Sequence, residues 1–191
     1  MKRKALLISV IAAVMVLCTV AGATLAYLFV KSEKVENTFT PTDITLELKE
    51  TTGNTYQMIP GVELDKNPKV TASASEGVAY YVYVKIEETA DFATYMEYSV
   101  ASTWAPLVDE NNDGIADNGV YYKAMAAGEK LEGVSVLTGD KVTVKSDVTK
   151  TMMNALTSNP KLTITAYAIQ QAGFDDAVAA WPYAFAQSNN P

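Results

Sequence analysis

The side chains best placed to do chemistry lie in one short stretch, Asp109-Glu110-Asn111-Asn112-Asp113-Gly114-Ile115-Ala116-Asp117. Oxygen-bearing side chains fall at the first, third, fifth and ninth positions (Asp109, Asn111, Asp113 and Asp117), with Gly114 at the sixth. Calcium loops use this spacing because alternate side chains converge on one ion while glycine permits the sharp bend. The twelfth position departs from that pattern: Val120 stands where an EF-hand supplies a bidentate Glu. The flanks read as strands, not helices. Two readings follow, a weak calcium site unlike an EF-hand and a solvated acidic hairpin loop, since Asn, Asp and Gly are also what turns require. The expected cofactor is none, or calcium on these four residues.

Other chemistries lack their residues. The chain has no histidine, so His-ligated zinc and Ser-His-Asp or Cys-His nucleophilic sites are excluded. A Ser-Lys dyad is not expected either. Glu87 and Glu88 are adjacent carboxylates, but neighbours on a strand point to opposite faces and would not share one substrate. The ten glycines are dispersed among turns and form no phosphate-cradling loop. No enzymatic activity is expected.

The N-terminus frames the remaining chemistry. Met1-Lys2-Arg3-Lys4 is basic, Ala5 to Val20 is apolar apart from Ser9 and Thr19, and Ala21-Gly22-Ala23-Thr24-Leu25-Ala26 is rich in small residues. This is the three-part layout of a secretory signal peptide, with cuts expected after Ala23 or Ala26. A retained membrane anchor is the competing reading, because the apolar run is just long enough to span a bilayer. Cys18, the single cysteine, falls within this segment, so the mature protein is expected to have neither thiol nor disulfide. With Lys2, Arg3 and Lys4 removed, 12 of the 15 basic residues remain against 22 acidic ones, a net charge of −10 against −7 for the full chain. Nucleic acid and anionic membrane surfaces are therefore not expected partners.

The elements that must position these residues are mostly strands. Ile44, Leu46 and Leu48 alternate with Thr45, Glu47 and Lys49; Val70, Ala72 and Ala74 alternate with Thr71, Ser73 and Ser75. Within Val78–Glu87, Tyr80, Val82, Val84 and Ile86 share one face, and Tyr81, Tyr83 and Lys85 the other. Tyr98, Val100 and Trp104, then Val120 to Tyr122, Val142 to Val144 and Leu162 to Ile169 complete the set. This period-2 pattern predicts strands. Turn signals separate them, among them Pro60-Gly61, Asp113-Gly114, Asn118-Gly119 and Asn159-Pro160. Two short helices are predicted. One covers Thr149 to Leu156. The other covers Phe174 to Trp181, with Phe174, Val178 and Trp181 on its buried stripe and Pro182 ending it. The fold class is all-β, an antiparallel sandwich with one or two short helices.

Several motifs occur in a specific order. They are Ala23-Thr24-Leu25-Ala26-Tyr27-Leu28, Asn37-Thr38-Phe39-Thr40, Ile44-Thr45-Leu46-Glu47-Leu48, Met58-Ile59-Pro60-Gly61, Pro68-Lys69-Val70-Thr71, and Ile164 to Gln170 with Gly173-Phe174 and Ala180-Trp181. In this order the chain resembles the TasA/camelysin family, the SipW-dependent secreted proteins of Gram-positive bacteria. The resemblance implies a jelly-roll-like sandwich, cleavage between Ala26 and Tyr27 by a signal peptidase of the SipW type, and a place at the cell surface or in the extracellular matrix. It further implies a fibre-forming biofilm matrix subunit whose partner is a second copy of itself, together with a minor accessory fibre protein. The chain then divides into a signal peptide (1–26), an N-terminal segment (27–41) and a sandwich domain (42–191). Tyr27, Leu28, Phe29 and Val30 open a segment of mixed polarity that reads as a donor strand for a neighbouring subunit, or as an ordinary first strand or tail. Alternatives of other classes are a camelysin-like surface protease and a monomeric calcium-binding adhesin displaying Tyr81 and Tyr83.

Overall fold

A computed structural model describes residues 43–53 and 56–188. The signal peptide, the Ala26–Tyr27 cut and the assembly residues Tyr27, Leu28, Phe29 and Val30 lie outside these. Among the described residues the protein is all-β: ten strands in three antiparallel sheets, with three short helices.

The strands are β1 (Ile44–Lys49), β2 (Glu63–Asp65), β3 (Lys69–Ala74), β4 (Tyr80–Glu88), β5 (Met96–Glu97), β6 (Ala105–Pro106), β7 (Val120–Met125), β8 (Leu131–Ser135), β9 (Lys141–Val144) and β10 (Leu162–Gln170). The helices are α1 (Phe92–Tyr95), α2 (Lys150–Asn154) and α3 (Ala177–Ser188). The sheets run β1-β3-β8, β10-β4-β7-β6 and β2-β9-β5. Residues from all three meet in one core, where Val70 and Ala72 of β3, Val82 and Val84 of β4 and Val142 and Val144 of β9 are buried together. The alternation that predicts β1, β3, β4 and β10 from sequence is the alternation of this packing.

The predicted sandwich gains a layer that its period-2 pattern does not reveal. The second face of the four-stranded sheet is also buried, in a core of Tyr83, Val120, Tyr167, Ile169, Ala177, Ala180 and Ala184 beneath α3. Tyr83 is fully buried, and its hydroxyl donates to the Ala177 carbonyl at 2.9 Å. Trp181 lies against Tyr83 and Tyr167, with ring centroids 5.3 and 5.2 Å apart. The expectation that Tyr81 and Tyr83 are displayed to solvent is therefore corrected. Tyr81 is half-buried and Tyr83 lies wholly under the helix.

That helix also differs from its prediction. It begins at Ala177, where the Asp176 carboxylate accepts from Ala179 N at 2.7 Å, and it runs through Pro182 to Ser188. Pro182 removes one intrahelical hydrogen bond, and the docking of Trp181 and Ala184 on either side carries the helix past it. Val178, expected on the buried stripe, is half exposed. Ala177, Ala180 and Ala184 face the sheet instead, and their small side chains let the helix backbone approach the Tyr83 hydroxyl. The helix at Thr149 forms over Lys150–Asn154, with the Thr149 hydroxyl accepting from Met152 N at 3.2 Å as an N-cap. Helix α1 was not expected, and neither were β2, β5, β6 and β8.

Gly119 joins the acidic loop to β7 at φ +68°, and a Cβ built there would stand 2.6 Å from the Ile86 carbonyl oxygen. That oxygen belongs to the backbone of β4 and cannot move aside. Gly119→Ala should therefore lower unfolding stability by about 2 kcal/mol or more, read from the shift in urea midpoint. A variant within about 0.5 kcal/mol of the parent would contradict this packing.

Candidate functional site

The sheet orders leave the four-stranded sheet with unlike edges. On one side β6 is two residues long and ends in Pro106, which has no N–H to offer. On the other side β10 is nine residues long and pairs with β4 through an unbroken register from Leu162–Glu88 to Gln170–Tyr80. Its sequence, Leu-Thr-Ile-Thr-Ala-Tyr-Ala-Ile-Gln, has no charge and no proline. No described strand pairs with its outer side. Natural edges are usually blunted by charge, proline, bulges or shortness. The exposed edge of β1 carries Glu47 and Lys49, and β8 is broken by a register shift opposite β3. Edge β10 has no charge, proline or bulge, and no described strand hydrogen-bonds to its outer side, although β1 comes close beside it. The uncharged run Leu162–Gln170 was the sequence signal for it, but edge position follows only from the sheet order.

Beside the start of β10, where β1 approaches it, lies a cleft of about 500 Å³. Leu48, Leu64, Phe92, Met96, Val142 and Ile164 give it apolar walls. At its rim Lys66 pairs with Glu50 at 3.0 Å, and the Tyr56 hydroxyl donates to the Gly53 carbonyl at 2.6 Å.

The acidic loop connects β6 to β7. Asp109 accepts from Asp113 N (3.1 Å) and Gly114 N (3.0 Å). Asn111 Oδ1 also accepts from Asp113 N at 3.1 Å, while Asp113 Oδ1 accepts from Ile115 N at 2.8 Å. Asp117 accepts from Glu110 N at 2.7 Å. The fold thus draws Asp109, Asn111 and Asp113 together on the backbone of one turn, and Asp117 closes the loop from its other limb. Among the described residues no group of three or more His, Cys, Asp or Glu side chains is arranged to hold a metal ion. Both Asp109 oxygens, Asn111 Oδ1, both Asp113 oxygens and one oxygen of Asp117 accept from N–H groups of the loop itself.

Remaining candidates separate. Glu87 pairs with Lys85 at 2.7 Å, whereas Glu88 accepts from the Tyr98 hydroxyl at 2.7 Å, so the two carboxylates serve different faces as expected. Ser158 and Lys161 do stand three residues apart, but Asn159-Pro160 between them is non-helical. Such a spacing brings two side chains to one face only on a helix. Burial and the hydrogen bond to Glu88 push the Tyr98 phenol well above its ordinary range, so it stays a donor.

Replacing Asp109 by Ala removes the acceptor of two backbone N–H groups at a half-buried position. The expected loss is about 1 kcal/mol of stability, measured by thermal or urea unfolding. In comparisons with known proteins, no family model and no curated sequence matches this chain.

Proposed function

We propose that the protein is a secreted structural subunit that polymerises by adding a strand from one copy to the open edge of the next. The observation that carries this reading is the uncharged nine-residue outer edge of β10. A strand edge offers a row of main-chain donors and acceptors, and an incoming strand gains affinity from them without needing a matching surface. The donor in this proposal is the segment beginning Tyr27-Leu28-Phe29-Val30, freed by cleavage after Ala26. A contact of this kind runs head to tail and does not close on itself, so it builds filaments. The jelly-roll connectivity, the place in an extracellular matrix or at the cell surface, and an accessory fibre protein belong to the same proposal, through the resemblance to the TasA/camelysin family. The role is non-catalytic, and the purified protein should leave casein intact with or without chelator.

The chain starting at Tyr27 should form filaments in negative-stain micrographs across a concentration series, and deletion of Tyr27 to Thr40 should leave monomers. Thr163→Lys with Thr165→Lys places charge along β10, and should suppress filaments while the far-UV spectrum is unchanged. Filaments that persist in the edge-charged variant would sink the assignment of β10.

Calcium on Asp109, Asn111, Asp113 and Asp117 is kept as an alternative reading of the loop, against the solvated turn that its internal hydrogen bonds support. Millimolar calcium should then raise Tm, and the rise should vanish in Asp109→Ala. An unchanged Tm removes calcium from the reading.

A further inference from the structure

A second pocket, of about 380 Å³, lies between α1, the start of β5 and the tip of the acidic loop. Three aromatic rings face it: Phe92, Tyr98 and Tyr121. Phe92 and Tyr98 meet edge to face, 5.8 Å between centroids. Met96 and Val100 add apolar wall, and Glu88 and Glu97 bring carboxylates to the same space. The Tyr98 hydroxyl donates to Glu88 at 2.7 Å, which fixes that carboxylate beside the rings.

We propose that this pocket binds an alkylammonium group, as carried by the lysine side chain of another polypeptide. The charges that face it set the sign. Glu88 comes from the end of β4, Glu97 from β5, and Asp109 and Asp113 stand in the neighbouring loop, close enough to act on Tyr121. The one cation in the wall is Lys145, and its ammonium is committed to the Ala93 carbonyl. Among the described residues no lysine forms an ion pair with Glu88 or Glu97. A purely apolar guest would make no use of Glu88 and Glu97, two exposed carboxylates that outnumber the single Lys145 ammonium in the wall. A divalent metal would want six or more oxygens, and the Phe92 ring, the Met96 thioether and the Val100 side chain in this wall supply none. An alkylammonium satisfies both halves. Its methylenes would lie along Met96 and Val100, and its charge would meet a carboxylate and the ring of Tyr98, the partly exposed one of the three aromatics, an attraction effective within about 6 Å of a ring centroid.

The inference does not depend on polymerisation and is tested separately. The full chain is titrated with Nα-acetyl-lysine-N-methylamide, followed by calorimetry and by amide NMR shifts. Saturable binding is expected, with shifts at Tyr98 and Ile115, together with silence from the norleucine counterpart, which keeps the stem and lacks the charge. Glu88→Gln, its fold checked by circular dichroism, should weaken binding about tenfold. High salt should weaken binding to the parent protein, a readout that needs no variant. Equal binding of the norleucine compound, indifference to both Glu88→Gln and salt, or shifts that map elsewhere would overturn the proposal. Cadaverine binding tenfold tighter than the lysine derivative would make a free diamine the ligand and overturn the assignment to a polypeptide.

Discussion

From Tyr80 to Ile86, strand β4 is covered on both faces, and the rest of the molecule is arranged around that covering. Its nine residues pair with β10 along their whole length on one edge and with β7 on the other. Val82, Val84 and Ile86 are buried in the sandwich core, and Tyr83 is buried under α3. A strand enclosed on both faces needs large side chains in both directions, and each polar tip among them needs a partner. The tyrosines meet both demands. The Tyr80 hydroxyl is shared between the carbonyls of Ala72 (3.1 Å) and Glu129 (3.0 Å), so it ties β3 and the β7–β8 turn to β4. The Tyr83 hydroxyl does the same for α3 through Ala177. Each ring supplies buried apolar area, and each phenol fixes where the next layer must sit.

Central placement of β4 has a consequence at the periphery. With β7 on one side, β10 is left as the outer strand, long and uncharged because both of its faces are partly covered. Ala166 and Ala168 share a face with Val84 and Val82, and Tyr167 and Ile169 share a face with Tyr83 and Tyr81. The residues that make β10 a good partner for β4 also make it an open template on its far side. Side-chain burial and edge exposure are independent properties of a strand, since one concerns the faces and the other the backbone groups between them. The acidic loop is a second consequence. It must return the chain from β6 into β7 beside β4, and Gly119 is needed there because the Ile86 carbonyl leaves no room for a Cβ.

Much of this was legible in the residues themselves. Alternation of apolar and polar side chains located β1 and β3, because a strand with one buried face writes its period directly into the chain, and runs of β-branched and aromatic residues located β4 and β10. The turn signals at Asn118-Gly119 and Asp113-Gly114 were readable because they depend on local backbone geometry alone. The absence of histidine settled which catalytic constellations were impossible. Other features needed the tertiary structure. Period 2 shows that two faces differ but not that both are buried, so Tyr83 looked exposed until α3 was placed over it. Pro182 reads as a helix end because the local hydrogen bond is lost, yet packing of Trp181 and Ala184 on the sheet outweighs that loss. Ala180 faces the sheet and Val178 does not, because the sheet, not the hydrophobicity of the side chain, decides which face of the helix is covered. Short strands such as β2 and β5 exist only because β9 lies between them. The open edge of β10 and the pocket at Tyr98 are relations between segments distant in the chain, and no local pattern records which strand will end up outermost.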